Sequence, residues 1–424
     1  AEQSLRLAAL LHDLGHLPFS HDFEFAIEEL LAAGDVSRDE HFKLKQILEA
    51  KLGSSALHER LGQGLGLNLM KDLVKLFGDS AGTLDIVFTL AFKILTTSAD
   101  IPHDDQTRAL EFLHAIIAGE VDADRCDFVF RDGRNYGFEF ATYDLNRILQ
   151  NVTVVGGKRF EICFRPQGVS AIESFILARC RSYQYGVRHH KVAQIAAALR
   201  HSLIKLLNHP SFADEVKPFL NDVKTLAAHD EQNPEDRSRL LDRFANYDDT
   251  WCIQLLRRLA TSAPDDWLEL VCWRKKEPKS LWKRAAEFPL DDRVSLRDWN
   301  VALLERDAGP VAATEWHDAI SKLDENHVLI MRHKFKPWGI EPNAGQSGDT
   351  PKSSLRIYYS HANIQPVSEV SPIIRELRNA WLDDVHVHAF ATPDSVFWDD
   401  PAGVVQQLPV NVETKEANSD AESA

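Results

Sequence analysis

Apolar residues recur every three to four positions along most of the chain, and this spacing predicts a mainly α-helical protein. The first helix follows from the apolar stripe between Leu5 and Leu11, and Gly15 is expected to end it. Helical spacing continues over residues 21–33, 39–52, 68–77, 83–97 and 107–118. The glycine-rich stretch 62–66 lacks the spacing of the phosphate-binding glycine motifs, so we interpret it as a loop.

The periodicity changes after Asn151. Apolar residues alternate on either side of the Gly156-Gly157 pair, which predicts a β-hairpin over residues 152–164. Residues 168–208 contain no proline and no helix stop other than Gly186. They predict one long helix, with Gly186 as the place for any kink.

The second half of the chain is helical up to about residue 313 and then mixes strands with helices. Strands are expected over 327–331, 355–359 and 385–390, with a helix over 370–381, and 341–354 has loop composition. The predicted division is a core over 1–208, a helical extension over 209–313, a small α/β subdomain over 314–410 and a disordered tail over 411–424.

Composition narrows the class of protein. The 424 residues are too many for one simple core, and the net charge of −16 argues against broad binding to nucleic acid or anionic membrane, although a local basic groove stays open. The five cysteines are widely spaced and form no CxxC pair, so we expect reduced thiols in the cytoplasm. No apolar run approaches the length of a membrane span.

The stretch HDLGHLPFSH, from His12 to His21, carries the first candidate chemistry. Adjacent helical residues lie about 100° apart, so His12 and Asp13 can approach one ion from a shared edge. His16 faces the same way one turn later. The alternative is a helix end with solvated polar side chains, which suits a lone His-Asp pair better than the whole stretch.

The stretch EVDADRCDFVFRD, over residues 120–132, is the second candidate. Its apolar residues fit one buried helical face, whereas its acidic residues do not share a single solvated stripe. A surface network with Arg125, Arg131 and Arg134 would also explain them. Metal-assisted hydrolysis needs neutral imidazole and carboxylate ligands, and the two stretches together would supply three.

In this order, HDLGHLPFSH and DADRCDFVFRD resemble the motifs of the HD-domain phosphohydrolases, and among them those of the deoxynucleoside triphosphate triphosphohydrolases. The resemblance covers residues 1 to about 205. It implies an HD-domain helical core, and its H…HD…D metal ligands correspond to His12, Asp13 and Asp124. The family's first histidine would lie upstream of Ala1, so we expect the chain to be incomplete at its N-terminus.

The resemblance also implies catalytic side chains. His16 and His21 would face substrate phosphates, with His21 as a general acid oriented by Glu24. A histidine held by a carboxylate has its pKa raised toward the working pH, which suits that role. His41 is a further candidate for the same pocket.

Substrate contacts follow from the same resemblance. Arg125 and Arg179 stand where relatives contact phosphate, and Asp127 and Asp132 would lie near the metal ligands or the sugar. Four further residues are candidates for substrate binding. Two of them, Phe128 and Arg188, differ from the residues that the family usually carries, and the other two, His190 and Lys191, lie on the basic helix.

The two departures concern sugar selection. Phe128 and Arg188 stand where relatives carry tyrosines, and the loss of two hydroxyl groups would weaken discrimination between deoxyribose and ribose.

These observations predict a metal-dependent phosphohydrolase that acts on nucleotides, most simply one that converts a dNTP into a deoxynucleoside and triphosphate. A phosphodiesterase or nucleotidase acting on another nucleotide is the first alternative, and a nucleotide-sensing or scaffold protein is the second. We expect a divalent cofactor (Mn, Fe, Mg or Zn), a homo-oligomer and an allosteric nucleotide, and no membrane partner.

Overall fold

The computed structural model describes residues 1–32, 57–77, 81–96, 105–156, 160–229, 234–274, 278–290, 294–306, 310–333 and 355–410. The predicted helix over 39–52, His41, the 341–354 loop and the tail after 410 lie outside these ranges.

The described part of the chain is mainly α-helical, which confirms the predicted fold class. The first half contains α1 (Glu2–Leu11), α2 (His21–Ala32), α3 (Leu57–Phe77), α4 (Ala81–Thr96), α5 (Asp105–Ile117), α6 (Ala123–Asn135), α7 (Leu145–Asn151), β1 (Val152–Gly156), β2 (Phe160–Phe164) and α8 (Val169–Ser182). The second half contains α9 (His190–Asn208), α10 (Ala213–Ala228), α11 (Pro234–Phe244), α12 (Asp249–Ser262), α13 (Asp266–Trp273), β3 (Lys279–Ser280), α14 (Leu296–Arg306), α15 (Pro310–Glu325), β4 (Val328–Arg332), β5 (Arg356–Ser360), β6 (Asn363–Pro366), α16 (Val367–Val370), α17 (Pro372–Leu382), β7 (Val387–Ala391) and α18 (Pro401–Gln407).

The largest hydrophobic core joins α2, α3, α9, α10 and α12. Phe23 and Phe219 are fully buried in it and pack edge to face with ring centroids 5.3 Å apart. Among the described residues, no helix combines the length and the apolar character that a membrane crossing requires.

The glycine-rich stretch 62–66 is helical rather than a loop, and this prediction was wrong. Glycines at the surface of α3 and in the segment packed against it allow close contact between α3 and neighbouring backbone. A Cβ on Gly15 would lie 2.0 Å from the His58 carbonyl oxygen, and one on Gly64 would lie 2.3 Å from the Leu226 carbonyl oxygen. These tertiary contacts outweigh the low helix propensity of glycine.

We expect Gly64→Ala to destabilise the fold by about 1–3 kcal/mol, because its Cβ would push α3 away from the backbone of α10. Gly66 is the matched control, because an added Cβ there meets only the end of Leu11, at 3.8 Å. Gly66→Ala should therefore stabilise the helix by about 0.5–1 kcal/mol. Urea denaturation of both variants measures the difference, and equal effects would contradict this account.

The predicted hairpin is present, with Val152 opposite Phe164. Its second strand also pairs with β5 far along the chain, where Phe164 lies opposite Ile357, and the order in this sheet is β1-β2-β5-β6. A second sheet has the order β3-β7-β4. Strands from beyond residue 314 therefore pack directly against the hairpin.

The predicted long helix over 168–208 is two helices. A π-helical turn over Tyr183–Val187 ends α8, and α9 starts at His190. Gly186 lies in this turn, and a Cβ there would come within 3.2 Å of the Tyr136 ring. The kink therefore falls at the glycine, where the backbone meets an aromatic side chain.

Candidate metal centre and histidine cluster

Two helix ends meet to form the candidate metal centre. His12 is the C-cap residue of α1, and the chain turns immediately after it. Asp122 caps the start of α6, where its side chain accepts a hydrogen bond from the Arg125 backbone N–H, and Asp124 follows in the first turn. The fold thus brings together two motifs that lie more than a hundred residues apart in the sequence.

The three predicted metal ligands lie together, with one ligand atom from each within 4.8 Å of the others. His12 Nε2 is 3.3 Å from Asp13 Oδ2 and 3.9 Å from Asp124 Oδ1. His12 Nδ1 donates to the Ala9 carbonyl oxygen at 2.7 Å, which leaves a lone pair on Nε2.

The surroundings of His12 Nε2 show whether a metal would fit this site. His12 Nε2 is buried, and no described residue supplies it with a hydrogen-bond partner. A buried ring nitrogen that faces two carboxylates is satisfied by a divalent cation, so these residues could hold one. The donor set does not determine the identity of the metal.

The two carboxylates carry opposite pKa shifts. Burial and then the nearby charge of Asp13 raise the pKa of Asp124. A hydrogen bond from His16 lowers the pKa of Asp13, together with the charges of neighbouring histidines, against the effect of burial. A cation between the carboxylates would relieve their mutual repulsion.

A cluster of histidines lies beside the metal centre. The ring centroids of His16 and His58 are 4.3 Å apart in a stacked arrangement, and His21 lies edge-on to both rings. His16 Nε2 is also 3.5 Å from Asp13 Oδ1, so the cluster adjoins the metal ligands. His41, the residue proposed from the sequence for this pocket, lies outside the described residues.

Glu24 contacts two of the three histidines and fixes their positions. Its buried carboxylate accepts from His58 Nδ1 at 2.9 Å and lies 3.4 Å from His21 Nδ1. Burial would raise the pKa of Glu24, but the hydrogen bonds from the two histidines hold it well below its ordinary value. Burial lowers the pKa of His58, and the Glu24 carboxylate outweighs it, so the net shift is upward.

His58 was missed by the sequence reasoning. It lies 34 positions beyond Glu24, at the start of α3. The available signal was Glu24 itself, because a carboxylate beside Phe23 and Ile27 on an apolar helix face needs a buried partner.

Two arginine side chains lie near Asp124 and the start of α6. The Arg125 guanidinium pairs with Asp122, and Arg179 Nη1 lies 3.7 Å from Glu120 Oε2. Burial and then the positive charge of Arg125 lower the pKa of Arg179. The two guanidinium groups are therefore close enough to repel each other, and a bound anion would relieve that repulsion.

The remaining predicted residues lie farther along the same elements. Asp127 is exposed and pairs with Arg131 at 3.0 Å, and Phe128 packs edge to face against Tyr183. Asp132 is half-buried near the end of α6.

The start of α9 and the turn before it carry Arg188, His190 and Lys191. Of these, Arg188 contacts His386 beside the C-terminal strand β7. Arg188 is buried and donates to His386 Nδ1 at 3.1 Å. Lys191 Nζ donates to Gln194 Oε1 at 3.4 Å. Burial lowers the pKa of His190, as do the neighbouring cationic groups. The substrate role of these three residues stays a prediction.

Known proteins were compared with this chain. No family model matches it. The deoxynucleoside triphosphate triphosphohydrolase SAMHD1 of Xenopus laevis is 30% identical over 200 residues, which is 45% of this chain and 30% of that protein. The predicted resemblance to the HD-domain phosphohydrolases is confirmed.

Two further proteins are similar to this chain. The uncharacterized protein MJ1154 of Methanocaldococcus jannaschii is 27% identical over 227 residues, or 53% of this chain and 37% of that protein. A crystal structure of a hypothetical protein from Aquifex aeolicus shares the fold over 96% of this chain and 80% of that one, with a TM-score of 0.53 and 18% identity. This chain thus spans about a third of the length of the two curated relatives.

Proposed function

We propose that this HD-domain protein is a metal-dependent phosphohydrolase that acts on nucleotides and converts a dNTP into a deoxynucleoside and triphosphate. The observation that carries the proposal is the buried, unsatisfied His12 Nε2 facing Asp13 and Asp124. The partial sequence similarity to a deoxynucleoside triphosphate triphosphohydrolase supports the choice of substrate class.

The metal ligands in this proposal are His12, Asp13 and Asp124. A bound divalent metal supplies charge neutralisation at the phosphate and an acidified water. Arg125 and Arg179 bind phosphate oxygens and stabilise the negative charge that develops on them.

The reaction needs a proton donor for the leaving oxygen, and His21 takes that role. Attack of water on the α-phosphorus breaks the bond to the sugar O5′, and that oxygen must gain a proton. The His21 side chain is 57% exposed, so a substrate can reach it, and its Nδ1 lies on the Glu24 carboxylate. Glu24 thus orients His21 for proton transfer to O5′.

The wall formed by Phe128 bears on whether the enzyme selects deoxyribose over ribose. Phe128 has no hydroxyl, and its ring neighbour is Tyr183. A wall without a hydrogen bond to the sugar discriminates weakly, so ribonucleotides are the favoured second substrates.

A substrate screen tests the proposal. The full-length protein, loaded with Mn²⁺, Mg²⁺ or Fe²⁺, is incubated with dNTPs, NTPs, monophosphates and cyclic nucleotides, and the products are separated by anion exchange. Release of triphosphate from a dNTP is the expected result. Release of monophosphate, or cleavage of cyclic nucleotides alone, would support the phosphodiesterase alternative. Nucleotide binding without turnover under all conditions would favour the sensor.

A further inference from the structure

The histidine cluster has the arrangement of a second metal site. His16, His21 and His58 each present one ring nitrogen within 4.8 Å of the other two. Zinc–imidazole bonds of about 2.0–2.1 Å place the nitrogens of a tetrahedral site about 3.4 Å apart, so small side-chain rotations would close the cluster around an ion.

The Nδ1 atom of each of the three rings has a polar neighbour. His58 Nδ1 and His21 Nδ1 both lie on Glu24 Oε2, at 2.9 and 3.4 Å. His16 Nδ1 lies 3.1 Å from Ser20 Oγ. His16 Nε2 lies 3.5 Å from Asp13 Oδ1, so an ion bound at His16 would replace that contact. A carboxylate behind the imidazole is the common outer partner of a metal-bound histidine, and Glu24 serves two rings at once.

The charges around the cluster favour a cation. The carboxylates that act on His58 are Glu24, Glu59 and Asp13. By contrast, the charged groups that act on the partly buried His333, which lies near His386 and His388 in the C-terminal sheet, include Arg188 and Arg200. Electrostatics therefore favour a cation among His16, His21 and His58 and disfavour one beside His333.

We propose that His16, His21 and His58 form a second site for a divalent transition metal of the zinc class, separate from the centre at His12, Asp13 and Asp124. Three imidazoles suit zinc better than magnesium, which prefers oxygen ligands. Occupancy would tie up the lone pairs of the cluster and prevent protonation of O5′, so excess zinc inhibits the enzyme. The inhibition rests on the proposed function, whereas the binding does not.

Metal stoichiometry tests the site without an activity assay. The full-length protein is dialysed against buffered micromolar Zn²⁺ and its metal content is measured by mass spectrometry. We expect two equivalents in the wild type, one in His21→Ala, one in Asp124→Ala and none in the double variant. His21 is the substitution of choice because its exposed ring contributes little to packing. His361→Ala, which removes an exposed imidazole from the β5–β6 turn, should bind like the wild type.

The outcomes separate the two proposals. One equivalent that is lost in Asp124→Ala and kept in His21→Ala overturns the second site and leaves the proposed function standing. One equivalent that persists in Asp124→Ala and disappears in His21→Ala supports the second site and counts against the proposed centre. For the manganese-loaded enzyme, activity should fall at least about tenfold with one further equivalent of Zn²⁺.

Discussion

Asp124→Ala is expected to abolish metal retention at the first centre and to lower kcat by about three orders of magnitude or more, because the loss of a metal removes several kcal/mol of charge stabilisation. Asp124 is one of two carboxylates that face the unsatisfied His12 Nε2. Steady-state hydrolysis of the preferred nucleotide, measured with saturating Mn²⁺, gives the size of the effect.

Two comparisons make this result specific. Asp124→Asn keeps the shape of the side chain and should lose nearly as much activity, because an amide is a weak metal ligand. Asp85→Ala removes an exposed carboxylate from α4 and should retain wild-type activity. Hydrolysis that survives both Asp124 variants would rule out the proposed metal centre.

Local sequence was sufficient to identify the first half of this centre. His12 and Asp13 are adjacent in sequence at the end of α1, so their proximity needs no tertiary information. Only the resemblance to a family linked Asp124 to them. Spacing could not, because α1 and α6 meet through the packing of several intervening helices.

The parts that the sequence did not predict depend on long-range contacts. Nothing in the residues around His58 indicates that Glu24 lies beneath it. Likewise Gly64 resembles a loop residue until α10 is packed against it, and the pairing of Phe164 with Ile357 depends on strands nearly two hundred residues apart. In each case tertiary packing decides between conformations that local propensity leaves nearly equal.

Three histidines of the C-terminal sheet should make the fold sensitive to mild acid: His386 and His388 are buried, and His333 is partly buried. Burial, with the charge of Arg188, lowers the pKa of His333 to about 2 and that of His386 to about 3. Burial also lowers the pKa of His388 to about 4, with contributions from His190 and Arg188 and against a hydrogen bond to the Trp282 backbone. All three side chains are therefore neutral in the folded protein at pH 5 to 7.

The geometry explains why these imidazoles stay neutral. Arg188 donates to His386 Nδ1 at 3.1 Å, and His386 Nε2 donates to the Trp381 carbonyl oxygen at 2.8 Å. The rings of His333 and His388 are 5.3 Å apart. The other charged groups that act on the cluster are Arg200, His189, His190 and, across Arg188, Asp384. A proton on His386 would place two cations in contact within a buried site.

Stability should therefore fall as the pH drops below 6.5. In that range the unfolded chain takes up protons on these histidines and the folded chain does not, so unfolding is favoured. Each histidine contributes about 1.4 kcal/mol per pH unit, and three together about 4 kcal/mol per unit. His58 and His201, whose pKa values are raised, are protonated in both states below pH 6.5 and add no slope there.

Urea denaturation between pH 7 and pH 5 measures this slope, and His386→Gln tests its origin. A glutamine can accept from Arg188 through its oxygen and donate to Trp381 through its nitrogen, so the fold should persist. The variant should lose about a third of the pH dependence, because one of three equivalent titrating groups is gone. His361→Gln, at an exposed position, should keep the wild-type slope. An unchanged slope in His386→Gln would show that acid acts elsewhere, since removing a buried neutral imidazole must otherwise reduce the proton uptake that accompanies unfolding.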